Sequence, residues 1–317
     1  QLDAGTYTLT EETAPDGYTV AESIEFVVDA AGKVTVNGED VNGTVLMEDD
    51  TTKVTISKKD ITGDNEIPGA TLQIKDENGD VVDEWTSSGK PHEINGKLIA
   101  GKEYTLHEEN APNGYAYSED VKFTVDETGK VTEVTMKDDV TKVTISKKDI
   151  TGDNEIPGAT LQIKDENGDV VEEWTSTDKP HEINGKLIAG KEYTLHEENA
   201  PNGYAYSEDV KFTVDETGKV TEVTMKDDVT KVSISKKDIT GDNEIPGATL
   251  QIKDENGDVV DEWTSSGKPH EINGKLIAGK EYTLHEENAP NGYAYSEDVK
   301  FTVDETGKVT EVTMKDD

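Results

Sequence analysis

The sequence of 317 residues contains no cysteine and no arginine, and only 6% of its side chains are aromatic. Without cysteine the chain can form neither a disulfide nor a thiolate metal site, so any covalent stabilisation needs other chemistry. Without arginine it lacks the bidentate group that most often clamps phosphate or carboxylate. The absence of cysteine excludes the disulfide-stapled class of extracellular domains.

The charge of the chain is strongly one-sided, and its apolar runs are short. The 70 Asp and Glu residues against 31 lysines give a formal net charge of −39. Such a polyanion repels nucleic acid, which requires a basic surface, so no nucleic-acid partner is expected. No apolar run approaches the roughly 20 residues needed to cross a bilayer, so no membrane insertion is expected in this region.

Three nearly identical copies follow one another with a spacing of 89 residues, marked by Lys58, Lys147 and Lys236. They differ at only five positions, so they must adopt the same fold. Each copy is much longer than a solenoid repeat and just large enough to bury a core of its own. We therefore predict three modules in a row, here called the full repeats. Their predicted boundaries are residues 51–139, 140–228 and 229–317.

Residues 1–50 form a diverged half copy, here called the partial repeat. Its segment AGTYTLTEETAPDGY at 4–18 aligns, with one residue fewer, with AGKEYTLHEENAPNGY at 100–115. The partial repeat is therefore predicted to be the C-terminal half of one more module.

Each full repeat alternates short β-prone runs with turn residues and shows no convincing helical period. The segment DENGD at 76–80 places Asn78-Gly79 between two such runs, which is a strong hairpin signal. About seven short strands without a helix predict an all-β, Ig-like sandwich. In the first full repeat the predicted strands are residues 53–59, 70–75, 80–86, 92–95, 102–109, 120–125 and 131–138.

Three of these strands carry an ionisable residue in line with apolar ones. Val54, Ile56 and Lys58 share one face of the first strand, because successive side chains alternate between faces. By the same alternation Glu108 continues the apolar stripe of the fifth strand, and Asp138 that of the seventh. A buried unpaired charge costs several kcal/mol, so the three should either meet inside or all lie at the rim.

Two interpretations fit this pattern. In the ordinary one, the three residues are strand ends that form a surface salt bridge, since lysine and glutamate are seldom buried. In the other, burial lets the lysine lose its proton and act as a nucleophile, while a buried carboxyl keeps its proton and acts as an electrophile. Lys58 would attack Asp138, with Glu108 as general acid and base, release one water and leave an amide.

Four segments of the full repeat resemble a known family. They are ISKKD, GATLQIKDENGDVVDEWTS, EYTLHEENAPNGY and the terminal VTMKDD. They resemble the Cna-B-type domains, also called SpaA-like or prealbumin-like, of Gram-positive surface adhesins and pilins, and are similar to the domain behind the SpyTag and SpyCatcher pair. The likeness covers each full repeat, and its most specific part is E-x-x-A-P-x-G-Y at 108–115.

The resemblance implies a prealbumin-like β-sandwich with an isopeptide bond between a first-strand lysine and a last-strand Asp or Asn, promoted by a buried glutamate. It assigns these roles to the same three residues as the alternation pattern. The implied cross-links are Lys58 to Asp138, Lys147 to Asp227 and Lys236 to Asp316, with Glu108, Glu197 and Glu286 as the promoting glutamates.

The partial repeat departs from this pattern. It keeps Glu11 and Asp49 but has no first strand, and therefore no lysine partner. We expect no bond in it. We also expect Gln1 to be a truncation point, with any preceding segment of the full protein supplying the lysine.

The function that the resemblance implies is a structural stalk of a surface adhesin or pilus-type protein. Such a protein would be extracellular and anchored to the cell wall, with adjacent modules as partners. The alternative is a set of adhesin repeats that contact host matrix proteins, a role that domains outside this sequence could also fill. Only Tyr115 and Tyr117 offer aromatic contact residues in the loops, which weakens that alternative.

Neither a turnover enzyme nor a cofactor is expected. The predicted chemistry consumes its own lysine, so it occurs once in each module. A metal site is not expected either, because DENGD lacks the spacing and terminal glutamate of an EF-hand. His92 and His107 do not form a spaced ligand set and are interpreted as solvent-facing strand residues.

Overall fold

The computed structural model describes residues 1–317, and every regular element in it is a β-strand. This confirms the predicted all-β class. No helix of the length and apolar character needed to span a bilayer occurs in the chain.

The partial repeat has four strands and each full repeat has seven, the number that the sequence predicts. The partial repeat contains β1 (Gly5–Leu9), β2 (Ile24–Val28), β3 (Val34–Val36) and β4 (Glu39–Asp40). The first full repeat contains β5 (Lys53–Asp60), β6 (Thr71–Lys75), β7 (Val81–Thr86), β8 (His92–Asn95), β9 (Glu103–Asn110), β10 (Val121–Thr124) and β11 (Thr132–Asp138). The second contains β12 (Lys142–Asp149), β13 (Thr160–Lys164), β14 (Val170–Thr175), β15 (His181–Asn184), β16 (Glu192–Asn199), β17 (Val210–Thr213) and β18 (Val220–Asp227). The third contains β19 (Lys231–Asp238), β20 (Thr249–Lys253), β21 (Val259–Thr264), β22 (His270–Asn273), β23 (Glu281–Asn288), β24 (Val299–Thr302) and β25 (Val309–Asp316).

The chain divides into two compact units. The first holds the partial repeat and the first full repeat, together with three short segments of the second, residues 140–141, 184–189 and 215–219. The second unit holds the remainder of the second full repeat and the whole of the third. The first unit is Gln1–Thr141, Asn184–Ala189 and Asp215–Lys219, and the second is Lys142–Ile183, Gly190–Val214 and Val220–Asp317.

Each full repeat folds into two sheets that enclose one core. In the first full repeat the four-stranded sheet has the order β10-β9-β6-β7 and the three-stranded sheet the order β11-β5-β8. Ile56 and Met136 of the smaller sheet join Ile74 and Leu106 of the larger one in a single buried cluster. Strand alternation turns these side chains inward, which gives the predicted sandwich. The partial repeat has one antiparallel sheet in the order β1-β2-β3-β4.

The first and last strands of each full repeat are parallel neighbours. In the pairing of β5 with β11, Ile56 lies opposite Val134 and Lys58 lies opposite Met136. Asp138 is two residues beyond Met136 and therefore on the same face. This register brings the inward side chains of Lys58 and Asp138 to one end of the ladder.

The predicted hairpin at DENGD is confirmed as the connection between β6 and β7. The Gly79 N–H donates to the Asp76 carbonyl at 3.0 Å, and the Asp76 N–H donates to the Asp80 carbonyl at the same distance. Gly79 has φ = +85°, the left-handed conformation that this short loop needs and that glycine adopts without strain.

A buried threonine joins the partial repeat to the first full repeat within the first unit. The Thr52 N–H donates to the Gly17 carbonyl at 2.9 Å, and the Thr52 carbonyl accepts from the Gly96 N–H at 2.9 Å. The Thr52 hydroxyl donates to the Leu98 carbonyl at 2.7 Å. Thr230 makes the corresponding contacts within the second unit. The backbones approach so closely that a Cβ added to Gly17 would lie 2.3 Å from the Gly96 carbonyl oxygen.

Candidate lysine–carboxyl site

Lys58 is one of the largest fully buried side chains of the chain, with 1% of its surface exposed. It lies on β5 directly after Val54 and Ile56 on the inward face, while Lys59 is half-buried on the opposite face. A lysine is rarely buried to this degree without a partner. Its Nζ atom therefore marks the centre of the candidate site.

Two carboxyl groups meet the Lys58 ammonium between the sheets. Glu108, on β9 of the larger sheet, places Oε1 2.8 Å from Nζ. Asp138, on the neighbouring β11, accepts a hydrogen bond from Nζ at Oδ1. Glu108 is 3% exposed and Asp138 is 1% exposed. The structure thus brings together, in the interior, the three residues that strand alternation selects.

Glu108 is held by the strand and by a following loop. A β-bulge separates the pairing of Leu72 with Glu108 from that of Thr71 with Asn110, so Glu109 is left over and exposed. The Ser118 N–H donates to Glu108 Oε2 at 2.8 Å. Burial raises the pKa of Glu108 above its usual value, although the nearby Lys58 ammonium acts against this shift.

The charges of the site do not balance in its fully ionised form. One ammonium faces two carboxylates, which would leave a net negative charge in the core. Asp138 Oδ2 is buried without a hydrogen-bond partner, and Glu108 Oε1 makes no directed hydrogen bond despite its short distance to Nζ. Leaving such atoms unpaired costs free energy, so the arrangement is not simply a stabilising salt bridge.

The same geometry occurs in the other two full repeats. Lys147 lies 2.8 Å from Glu197 and hydrogen-bonds Asp227, and Lys236 lies 2.8 Å from Glu286 and hydrogen-bonds Asp316. Each lysine is 1% exposed. Burial also raises the pKa of Glu197.

The family of the chain follows from a sequence model that matches it four times. The model describes the SpaA prealbumin-like fold domain, and it matches residues 1–42, 52–140, 141–229 and 230–317. The chain belongs to the SpaA prealbumin-like fold family. The resemblance inferred from the sequence is thereby confirmed, and the full repeats are SpaA-type repeats.

Solved structures similar to this SpaA-type chain come from proteins of several Gram-positive bacteria. The TIE protein of Bacillus anthracis is 22% identical with a TM-score of 0.42; the alignment covers 99% of this chain but only 61% of that one. A streptococcal ancillary pilin is 15% identical with a TM-score of 0.33, over 84% of this chain and 99% of the pilin. The shaft pilin SpaA of Lactobacillus rhamnosus GG is 16% identical with a TM-score of 0.27, over 56% and 98%. No curated protein matches the chain.

One residue of the SpaA-type site that sequence reasoning missed is Ser118. Its hydroxyl lies 2.6 Å from the Lys137 carbonyl oxygen and also contacts Asp138 Oδ1. Ser118 lies in the loop before β10, where no periodicity points to it. The only sequence signal is a comparison of the repeats, since the partial repeat has Ala21 at the equivalent position.

A second missed residue is Glu66, which fixes the backbone of the lysine. Glu66 Oε2 accepts the Lys58 N–H at 2.8 Å, and the Lys58 carbonyl accepts the Ile67 N–H at 2.8 Å. The loop of residues 61–67 therefore holds the end of β5, with Lys59 and Glu66 forming an antiparallel bridge. The corresponding contacts occur at Glu155 and Glu244.

In the partial repeat the structure places Glu11 and Asp49 beside each other. Desolvation raises the pKa of Asp49, and the neighbouring Glu11 adds to the increase. The Ala21 N–H donates to Glu11 Oε2 at 2.7 Å, just as Ser118 does to its glutamate. The carboxyl half of the site is thus present here without a lysine strand.

The histidines of the first SpaA-type repeat take part in surface contacts. The His92 ring stacks on Trp85 with 4.1 Å between centroids, and its Nε2 lies 3.0 Å from Asp83. The Nδ1 atom of His107 lies 2.7 Å from Asp120. Both rings are half-buried rather than fully solvent-facing, because a neighbouring aromatic or carboxylate covers one side of each.

Proposed function

We propose that this chain is a stretch of structural stalk from a bacterial surface protein, in which each full repeat locks itself with an isopeptide bond. Under this proposal Lys58 joins Asp138, Lys147 joins Asp227 and Lys236 joins Asp316. Glu108, Glu197 and Glu286 promote the reactions. The supporting observation is the buried triad, which brings an amine within bonding reach of one carboxyl and sets a second carboxyl at 2.8 Å.

The proposed reaction conserves atoms and needs no cofactor. The neutral Lys58 amine attacks the carboxyl carbon of protonated Asp138, and the Glu108 carboxylate accepts a proton from the nitrogen. Glu108 then returns this proton to the leaving oxygen, and one water departs. This step requires the amine and the Asp138 carboxyl in their neutral forms. The lysine is consumed, so each repeat reacts once and the protein is not a turnover enzyme.

The bond would strengthen each repeat against mechanical tension. It would close a loop of 80 residues, comparable to a disulfide that contributes about 4 to 5 kcal/mol in the chain-entropy model. Tension would cross from β5 to β11 through the amide and leave the residues between them unloaded. From Asp138 to Lys147 there are nine residue steps, which extend to at most about 32 Å.

The remaining features of the proposal follow from family membership. Residues 51–139, 140–228 and 229–317 would each be one domain, and residues 1–50 half of another. The protein would be located outside the cell, and its anchoring and any contact with host matrix would depend on other parts of the protein. Nearly identical copies add length to a stalk without adding a new binding surface.

The decisive experiment is an intact mass measurement of the denatured chain. Three bonds remove three waters from the mass calculated from the sequence. A mass with no water missing would contradict the proposal. Peptide mapping would then identify the linked peptides, because a bonded lysine resists cleavage by trypsin, and the linked peptide of the third repeat would be distinguished from the other two by Ser233.

A further inference from the structure

A single serine touches both carboxyl groups of each triad. In the first full repeat the Ser118 N–H donates to Glu108 Oε2 at 2.8 Å, and its hydroxyl contacts Asp138 Oδ1. Ser207 and Ser296 repeat both contacts in the other two. In the third full repeat the hydroxyl also lies 3.2 Å from the Lys236 amine. These hydroxyls therefore lie at the reacting atoms.

The hydroxyl of Ser118 has more acceptors than protons. It carries one hydrogen, yet both the Lys137 carbonyl oxygen and Asp138 Oδ1 lie within reach. A hydroxyl hydrogen rotates to the stronger acceptor, and an oxygen that carries negative charge is stronger than a neutral carbonyl. The hydrogen would therefore turn to Oδ1 at the moment when that oxygen becomes charged.

We propose that Ser118, Ser207 and Ser296 are catalytic residues for isopeptide formation, donating a hydrogen bond to Oδ1 of the acceptor aspartate as negative charge develops there. This inference rests on the proposed function. Attack by Nζ forms the C–N bond and moves the carbonyl electron pair onto Oδ1. The proton of Nζ passes to the glutamate and then to Oδ2, the C–Oδ2 bond breaks, and water leaves. The serine O–H bond stays intact throughout.

The unpaired atoms of the site fit this division of roles. Asp138 Oδ1 has the serine and the lysine as partners, whereas the buried Oδ2 has no hydrogen-bond partner. Departure of Oδ2 as water would remove the uncompensated atom. Oδ1 would remain as the amide oxygen, still facing the serine hydroxyl. A preorganised donor aimed at the oxygen that becomes charged is the arrangement that stabilises acyl-transfer transition states.

The partial repeat shows what an alanine does at this position. Ala21 retains the backbone contact, with its N–H 2.7 Å from Glu11 Oε2, and lacks only the hydroxyl. Replacing the serine by alanine in a full repeat should therefore leave the glutamate in place. Such a variant isolates the hydroxyl from the positioning role of the backbone.

The test uses the whole chain with Ser296→Ala in the third full repeat. That repeat has Ser233 where the others have Thr55 and Thr144, so its cross-linked tryptic peptide has a distinct mass. Cell-free synthesis would be sampled over time into acid denaturant, and the linked and unlinked peptides would be counted by mass spectrometry. The first and second full repeats serve as internal references. Matched variants are Ser296→Thr, which keeps a hydroxyl, and Glu297→Gln at the exposed neighbour.

Linking in the third repeat of Ser296→Ala should be slower by at least about tenfold, since one oxyanion donor commonly contributes about 10²- to 10³-fold. Ser296→Thr should restore most of the rate, and Glu297→Gln should not change it. Because a serine hydroxyl does not titrate here, the loss should be the same at every pH. Equal rates for Ser296→Ala and the unmodified protein would overturn the serine's role alone. Absence of linked peptide from all three repeats would instead overturn the proposed function.

Discussion

The partial repeat and the first full repeat contain nearly the same terminal segment in two different structures. In the full repeat VTMKD at 134–138 belongs to β11, and Met136 and Asp138 are each 1% exposed. In the partial repeat VLMED at 45–49 forms no strand, and Asp49 is only half-buried. The two segments share their alternation, so alternation does not account for the difference.

The difference lies in the partner strand. β11 forms its ladder with β5, and the partial repeat has no strand at the place of β5. Strand formation depends on cross-strand packing more than on local preference. The first strand therefore supplies both the lysine of the triad and the template that carries the acceptor aspartate into the core.

The largest loss of stability should come from Lys58→Ala. This variant gives the first full repeat the same set of groups as the partial repeat, two carboxyls without a lysine. Under the proposed function one cross-link is lost, and two carboxyls remain in the core without their cation. The free energy of unfolding of that repeat should fall by at least about 4 to 5 kcal/mol. Mass spectrometry should find two missing waters instead of three, and calorimetry a new transition at lower temperature. Lys59→Ala, on the outer face, should still lack all three waters.

A comparison of two alanine variants tests the inward Glu108 against its outward neighbour Glu109. Glu108→Ala should abolish the bond in its repeat, because no base remains for the amine proton, but the ion pair of Lys58 with Asp138 survives. The destabilisation should therefore be smaller than that of Lys58→Ala. Glu109→Ala should leave the bond intact, since this residue is exposed beyond the bulge. Equal loss of mass in both variants would refute the assignment by strand alternation.

A smaller loss of stability is expected at the junction where Thr52 joins the partial repeat to the first full repeat. The partial repeat takes part in this junction although it lacks the lysine–carboxyl site. Gly17→Ala introduces a Cβ 2.3 Å from the Gly96 carbonyl oxygen at a φ of +82°, so strain and overlap should together cost about 2 to 3 kcal/mol. Gly32→Ala has nearly the same φ and no atom within 4 Å, so it should cost only about 1 kcal/mol. Hydrogen exchange at the Thr52 amide would report the difference.

The smallest expected effect is a loss of stability in acid, at the turn that Asp60 and Thr62 form in the first full repeat. Hydrogen bonds from Thr62 hold the pKa of Asp60 below its ordinary value of 3.8. A lowered folded pKa stabilises the fold above the unfolded value, and this contribution disappears as pH falls through the folded pKa. Thermal unfolding of the linked protein should shift to lower temperature below about pH 3.8. Thr62→Val should reduce this acid dependence, whereas an unchanged profile would contradict the assignment.

Much of this architecture could be predicted because it depends on short-range periodicity. The strands and the inward positions of Lys58, Glu108 and Asp138 follow from alternation, and the hairpin follows from the local turn preference of Asn78-Gly79. Ser118 could not be predicted in this way, because it lies in a loop and contacts residues 10 and 20 positions away in the chain. The junction of Thr52 was missed for the same reason, since its partners come from two different repeats.

The parallel pairing of β5 with β11 also determines how a pulling force would act on the ladder. The chain enters at the start of β5 and leaves at the end of β11, and in a parallel pair these points lie at opposite ends. Force applied there would slide the two strands along each other and strain all of their hydrogen bonds together, instead of peeling them apart singly. The lysine and its aspartate lie near the exit end. Even before a covalent bond formed, a repeat would therefore resist stretching through collective shear while the amine and carboxyl remained in contact.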